Sequence, residues 1–359
     1  MNRRQPNELR RRAGIARVEV LVCLFIGLLL LAVGVRGVGQ AQVAARKLYC
    51  MGNMRNVGLA FQNYASGTGG ALPDLNSTLK VTNERGAEGQ LAVGWPIKLL
   101  PALDATAVLK KIKRNVVIDE NTAKATVGEQ ERMTPLSVFF CPESIRESIK
   151  PGSLSFVANV GFISRRLYTG DPDGQHRPGL LSWDGNDISD ETQDVKVGAA
   201  TGVIWRTVER VHSSLDEVSA GDGTSHTILL TENLQAGSWF DTETTRIGFG
   251  FPVQAKNEQV PFGRGTCFES VQQPLNTQFE GQALTSGTAN DWQINSDMKM
   301  AKDRTRPRPS SVHTGGVNVI MCSGSGGFLS NAIDPHVYIK LLTQNGITYG
   351  ETKMLENPF

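Results

Sequence analysis

Histidines, cysteines and closely spaced carboxylates are the side chains with which a protein moves protons, attacks carbonyl groups or holds metal ions. In this chain they are few and scattered. His313, in the run Ser311-Val312-His313-Thr314-Gly315-Gly316, is the first choice for a general base or a metal ligand. A working base is held in place by a third group, normally a carboxylate, and none stands beside His313 in the sequence. His313 therefore reads as a structural side chain, bonded to a hairpin or to a neighbouring loop. Ser323 and Ser325 sit among glycines 324, 326 and 327, but neither has the glycine two residues earlier that a nucleophile elbow requires. With no nucleophile and base in view, the expectation is a protein that is not an enzyme.

Two acidic loops have the oxygen-rich composition that suits calcium, Asp171-Pro172-Asp173-Gly174 and Asp184-Gly185-Asn186-Asp187-Ile188-Ser189-Asp190-Glu191. Ile188 takes a ligand position in the second, so neither fits the EF-hand template, and both read as solvated turns. The chain has five cysteines. Cys23 lies within an apolar stretch and reads as a small apolar residue. Cys50, Cys141, Cys267 and Cys322 allow three pairings; Cys50 with Cys141 is favoured because it would tie an N-terminal helix to the body, and buried free thiols are the alternative. No C-x-x-C pair occurs, which argues against zinc, and neither a metal nor a cofactor is expected.

The elements that must position these residues begin with the apolar block Val20 to Val35. Its flanks extend it to the roughly 20 residues that a helix needs to cross a bilayer, and residues 15–38 are expected to span one. Residues 1–14 carry five arginines and one glutamate, and positive charge stays on the cytoplasmic side. The body is then exported. After the span, residues 39–68 continue as an amphipathic helix, with Leu48, Met51, Met54, Gly58, Phe61 and Ala65 on one stripe. Arg46, Lys47, Asn53, Arg55 and Asn56 lie on the other side, and Gly67, Gly69, Gly70 and Pro73 end the helix. The stripe reads as cover for a sheet.

Residues 69–359 read as one exported, β-rich domain. Val81 to Gln90 and Asn257 to Gly287 look like loops or insertions. Val317 to Met321, a turn, and Phe328 to Ser330 make a β-hairpin, after which Asp334 and Pro335 start a short helix that ends before Gly346. The basic run Lys299 to Arg308 reads as solvated surface, with an anionic lipid or acidic polymer as the alternative. Apolar residues make up 40% of the chain and the formal charge is +2, or −2 without the leader, so nothing marks a nucleic-acid partner.

The leader, Gly14, Ile15, Glu19 and the apolar helix together resemble the processing segment of type IV prepilins and pseudopilins. The resemblance implies cleavage after Gly14 by a prepilin peptidase, methylation of the Ile15 amine, and a helix that packs against other pilin-like subunits in the inner membrane. Ile15-Ala16-Arg17 stands where that family usually has Phe-Thr-Leu. A second resemblance covers most of the chain. Cys50-Met51-Gly52-Asn53 through Tyr64, Phe139-Phe140-Cys141-Pro142, Ser155 to Gly161, Asp222 to Glu232, and Ser311 to Val319 followed by Ser323-Gly324 occur in the order of a large bacterial family of prepilin-like proteins. That family has an uncharacterised exported domain and a C-terminal His-x9-Asp-Gly signature, here His313, Gly315, Gly316 and Ser323-Gly324, within residues 308–346.

The resulting expectation is a pilin-like α+β fold: a long N-terminal helix packed on a mostly antiparallel sheet body, with a C-terminal hairpin plus short helix. The function expected is that of a pseudopilin-like structural subunit of a type II secretion or type IV pilus-like assembly, anchored in the inner membrane with its body in the periplasm or at the cell surface. A monomeric, membrane-tethered binding module is the alternative.

Overall fold

The computed structural model of the chain describes residues 17–144, 152–168, 176–180, 191–253, 293–295, 306–349 and 354. Both acidic loops, Cys267, Gly14, Ile15 and most of the basic run lie outside them. The fold is mixed α+β, with two compact units, Met1–Leu48 and Tyr49–Phe359.

Helix α1 runs from Arg17 to Gly67. Its part in the first unit exposes Val18, Leu21, Leu24, Phe25 and Leu28. Residues 30–44 are described as helical backbone alone. Among the described residues no helix is long and apolar enough to cross a membrane.

In the second unit the burial of α1 follows helical spacing. Cys50, Met54, Val57, Phe61 and Ala65 are buried, as three- and four-residue steps dictate. The stripe differs from the expected one at two places. Leu48 is exposed, and Asn53 is buried because its amide donates to the carbonyls of Ser137 and Phe140, at 3.0 and 2.9 Å. A buried amide with both partners supplied costs little.

Five strands form the larger sheet: β5 (Phe156–Ser164), β6 (Ile228–Glu232), β7 (Gly248–Val253), β8 (Gly316–Met321) and β9 (Gly326–Ser330), in the order β7-β5-β6-β8-β9. Every residue of β5, β6, β7 and β8 is buried. Strands covered on both faces read as continuous apolar runs, which is what Ile228-Leu229-Leu230 and Phe156-Val157-Ala158 are. α1 comes so close to β8 that a β-carbon on Gly58 would stand 2.7 Å from Ile320 Cγ2. The helix Pro335–Leu342 also reaches this sheet, through the ring contact of Tyr338 with Phe251 at 6.2 Å. Asn159 of β5 is fully buried and donates to the carbonyls of Ile228 and Leu342.

The smaller sheet has β1 (Asn76–Thr82), β2 (Glu88–Gly94), β3 (Val116–Ile118) and β4 (Lys124–Val127), in the order β1-β2-β4-β3. Residues 81–90, expected as a loop, are instead the inner ends of the β1–β2 hairpin, with Val81 opposite Gly89. The polar residues that suggested a loop fall on its open face, since β2 alternates exposed and buried as a half-covered strand must. Pairing is mostly antiparallel, but each sheet is mixed: β2 runs parallel to β4, and β5 parallel to β7.

The C-terminal hairpin resolves the Ser323-Gly324 tip. The amide of Gly324 donates to Met321 O and that of Met321 to Ser325 O, both at 2.8 Å, so the loop has three residues. In such a loop only the last residue needs positive φ, and Gly324 supplies it at +82°. A two-residue type I′ tip at Ser323-Gly324 would have needed positive φ at the serine as well.

Candidate functional site

Four segments distant in sequence converge beside the larger sheet, each bringing one side chain that can bind a metal. Cys50 lies on α1, one helical turn before Met54. Phe61 of that helix meets Trp95 with ring centroids 5.2 Å apart, and Trp95 meets Phe139 edge-on at 6.0 Å. Trp95 also donates its indole N–H to Ile247 O at 2.9 Å. This buried aromatic row, together with the two bonds of Asn53, fixes the 3-10 turn Ser137–Phe139 against α1. Cys141 follows two residues after that turn.

Glu232 is the last residue of β6. Pairing of Thr231 with Val319 sets its carboxylate beside the start of β8, where the backbone N–H of Asn318 donates to Oε2 at 2.7 Å. His313 precedes β8 in a loop closed by Ser311, whose Oγ accepts from the His313 N–H at 3.1 Å and donates to Gly316 O at 2.7 Å. Gly316 has a structural reason of its own: a β-carbon there would run into Leu329 O across the hairpin.

Cys50 Sγ, Cys141 Sγ, a carboxylate oxygen of Glu232 and a ring nitrogen of His313 all lie within 4.8 Å of one another, and all four residues are buried. Cys50 Sγ donates to Glu232 Oε1 at 2.8 Å. His313 Nε2 is 3.0 Å from the same oxygen and 3.7 Å from Cys141 Sγ. The other ring nitrogen, Nδ1, is 2.6 Å from Glu143 Oε2.

Electrostatics follow from this crowding. Hydrogen bonding to Cys50 draws the Cys141 thiol down to about 6, against its burial and with help from His313. The same bond, then burial and the charge of Glu232, push Cys50 far above the ordinary thiol range. Burial works to lower His313, but its hydrogen bonds to Cys141 and Glu232 outweigh that and raise it to about 10. Without a metal the crowding thus favours the neutral form of Cys50 and the charged forms of Cys141 and His313.

One reading from sequence is corrected here. His313 does have orienting carboxylates, Glu143 and Glu232; they come from other parts of the chain, so the local sequence did not reveal them. The expectation of no metal rested on the missing C-x-x-C pair, a pattern that reports only ligands that are neighbours in sequence, whereas these four donors come from separate segments. Cys50 and Cys141 are brought together, but as free thiols rather than as the favoured disulfide. Cys322 is buried, and burial raises its thiol; Cys23 is exposed. Glu143 and Glu232 were missed as site residues. A signal for Glu232 was present: Cys50, Cys141, Glu232 and His313 each stand in one of the segments that already lined up in order.

The recess next to the cluster, lined by Ser144, Ser155, Glu232, Ser310 and Ser311 among others, has no interior large enough for a water molecule. The four donors stand close enough together to hold an ion.

No curated protein and no solved structure matches the chain. A family model described as "Protein of unknown function (DUF1559)" matches residues 39–336, a stretch that takes in both sheets, all four donors of the cluster and Glu143. The chain belongs to this family of uncharacterised bacterial proteins.

Proposed function

We propose that this chain is a structural, pseudopilin-like subunit of an envelope assembly, anchored by α1 in the inner membrane and carrying its body on the outer side. The observation that carries the reading is the change of character along α1. Val18, Leu21, Leu24, Phe25 and Leu28 are each at least 60% exposed, whereas from Cys50 onward the helix buries an apolar stripe. Large apolar side chains in an unbroken exposed row need either lipid or other subunits as cover. The arginine-rich leader ahead of Gly14 supports an N-terminus in the cytoplasm, and Glu19, in the first turn of α1, stands where a prepilin glutamate is expected. A carboxylate at that depth has to be matched by a partner, which a subunit assembly supplies.

The test is intact mass and N-terminal sequencing of the protein recovered from membranes of its native host, together with crosslinking of wild type and Glu19→Ala. The expected chain begins at N-methylated Ile15 and forms crosslinked multimers that Glu19→Ala abolishes. A chain that keeps residues 1–14, or multimers indifferent to Glu19, overturns the subunit reading in favour of a tethered binding module.

A further inference from the structure

We propose that Cys50, Cys141, Glu232 and His313 form a closed, structural site for a single zinc ion, with Glu143 positioning the histidine. The site lies wholly within residues 49–359 and does not depend on how the N-terminal helix is used.

The donor set is the first argument. Two sulfurs, an imidazole nitrogen and a carboxylate oxygen are the ligands zinc accepts in fourfold coordination, and the sulfurs disfavour calcium and magnesium. Spacing is the second. Tetrahedral zinc with bonds of about 2.0–2.3 Å places its ligand atoms about 3.3–3.8 Å apart. The structure has Cys141 Sγ 3.7 Å from His313 Nε2, Nε2 3.0 Å from Glu232 Oε1, and Oε1 2.8 Å from Cys50 Sγ. The first edge already fits; the other two open by less than 1 Å, and the remaining separations, all within 4.8 Å, close toward the same range to take the ion.

The groups behind the ligands are the third argument. A zinc-bound histidine normally donates its other N–H to a carboxylate, which fixes both tautomer and ring orientation. Glu143 Oε2 stands 2.6 Å from Nδ1, which leaves Nε2 facing the cluster. The second oxygen of Glu232 is held by the Asn318 N–H, which leaves Oε1 for the metal. A disulfide would join Cys50 and Cys141 but gives no reason for Glu232 and His313 to be aimed at the same point. On binding, both cysteines enter as thiolates and His313 as the neutral imidazole, their protons passing to solvent. Four protein ligands leave no open position, so the ion is structural: it would link α1, the Cys141 turn, β6 and the β8 loop.

The experiment uses the full-length chain purified without chelator, with zinc measured by plasma mass spectrometry and free thiols by intact-mass alkylation. Zinc in a one-to-one ratio is expected. After exchange for cobalt, the visible bands of a tetrahedral site and the near-ultraviolet thiolate-to-cobalt band are expected, the latter weakened in Cys141→Ser. Glu143→Gln should keep the stoichiometry and weaken zinc affinity 10- to 100-fold, which a purely structural hydrogen bond would not do. A protein that takes up neither zinc nor cobalt with its thiols free overturns the proposal, as does a Cys50–Cys141 disulfide in the native chain. Metal retained in full by both Cys50→Ser and Cys141→Ser would place it elsewhere and also overturn it. The wild-type measurements decide the matter even where a variant fails to fold.

Discussion

His313 Nδ1 stands 2.6 Å from Glu143 Oε2, while the opposite edge of the same ring faces Glu232 at 3.0 Å. The ring is therefore pinned from both sides by residues that approach from different parts of the chain.

Removing that ring should be costly in the metal-free protein. The Glu232 side chain is only 3% exposed, and His313→Ala removes the ring whose Nε2 stands 3.0 Å from its Oε1. Breaking a buried pair in this way costs about 3–5 kcal/mol. Urea unfolding of the chelator-treated full-length chain should show that loss for His313→Ala, and a smaller one for His313→Gln, which keeps a donor.

A second histidine gives a pH dependence of defined sign. His176 is buried, stacked on Trp205 at 4.9 Å, with Nε2 2.8 Å from Val160 O. Burial holds it down to about 4, against its bond to Val160. The unfolded chain takes up the proton near pH 6.5 and the folded one only near 4, so stability falls as pH drops through that window. At 1.36 kcal/mol per unit the full loss is about 3 kcal/mol. Denaturation midpoints measured from pH 7 to pH 4 should show this slope, and His176→Gln should lack it.

Gly58 should respond to substitution in the opposite way from an exposed helical glycine. On an open helix Gly→Ala stabilises by about 1 kcal/mol. Here the new methyl would stand 2.7 Å from Ile320 Cγ2, and overpacking costs about 1–3 kcal/mol. Gly58→Ala should destabilise the wild type. Combined with Ile320→Ala, which removes that methyl, it should be neutral or stabilising, a coupling that a double-mutant cycle of thermal midpoints measures.

Asn53 ties α1 to the turn that carries Cys141. Asn53→Ala leaves the Phe140 carbonyl without its side-chain donor and the Ser137 carbonyl with only the Phe140 N–H, a loss of about 1–3 kcal/mol. Because the turn positions a ligand, zinc affinity should fall along with stability, whereas Asn63→Ala, on the exposed side of the same helix, should change neither. Competition with a chromophoric chelator reads the affinity, and chemical denaturation reads the stability.

Much of the architecture was legible in local sequence because it depends on local periodicity and turn chemistry. Helical spacing from Met54 to Ala65 marked the covered face of α1, glycines 67, 69 and 70 marked its end, and the Val317 to Ser330 pattern marked β8 and β9. The β1–β2 hairpin was not legible, since half of each strand faces outward and its polar residues resemble those of a loop. Asn53 was placed on the wrong face because its two carbonyl partners lie more than 80 residues away.

What the sequence by itself determined is the inventory: an apolar N-terminal helix, a body able to bury a core, and a histidine and two cysteines standing in separate recognisable segments. What only the tertiary structure decided is that Cys50, Cys141, Glu232 and His313 face one point and that Glu143 stands behind the ring. Local patterns report how a segment folds against its immediate neighbours in the chain. Convergence of side chains from α1, the Cys141 turn, β6 and the β8 loop is set by strand order, by the register of β6 on β8 and by the packing of Phe61, Trp95 and Phe139, and these arise only when distant segments share one core.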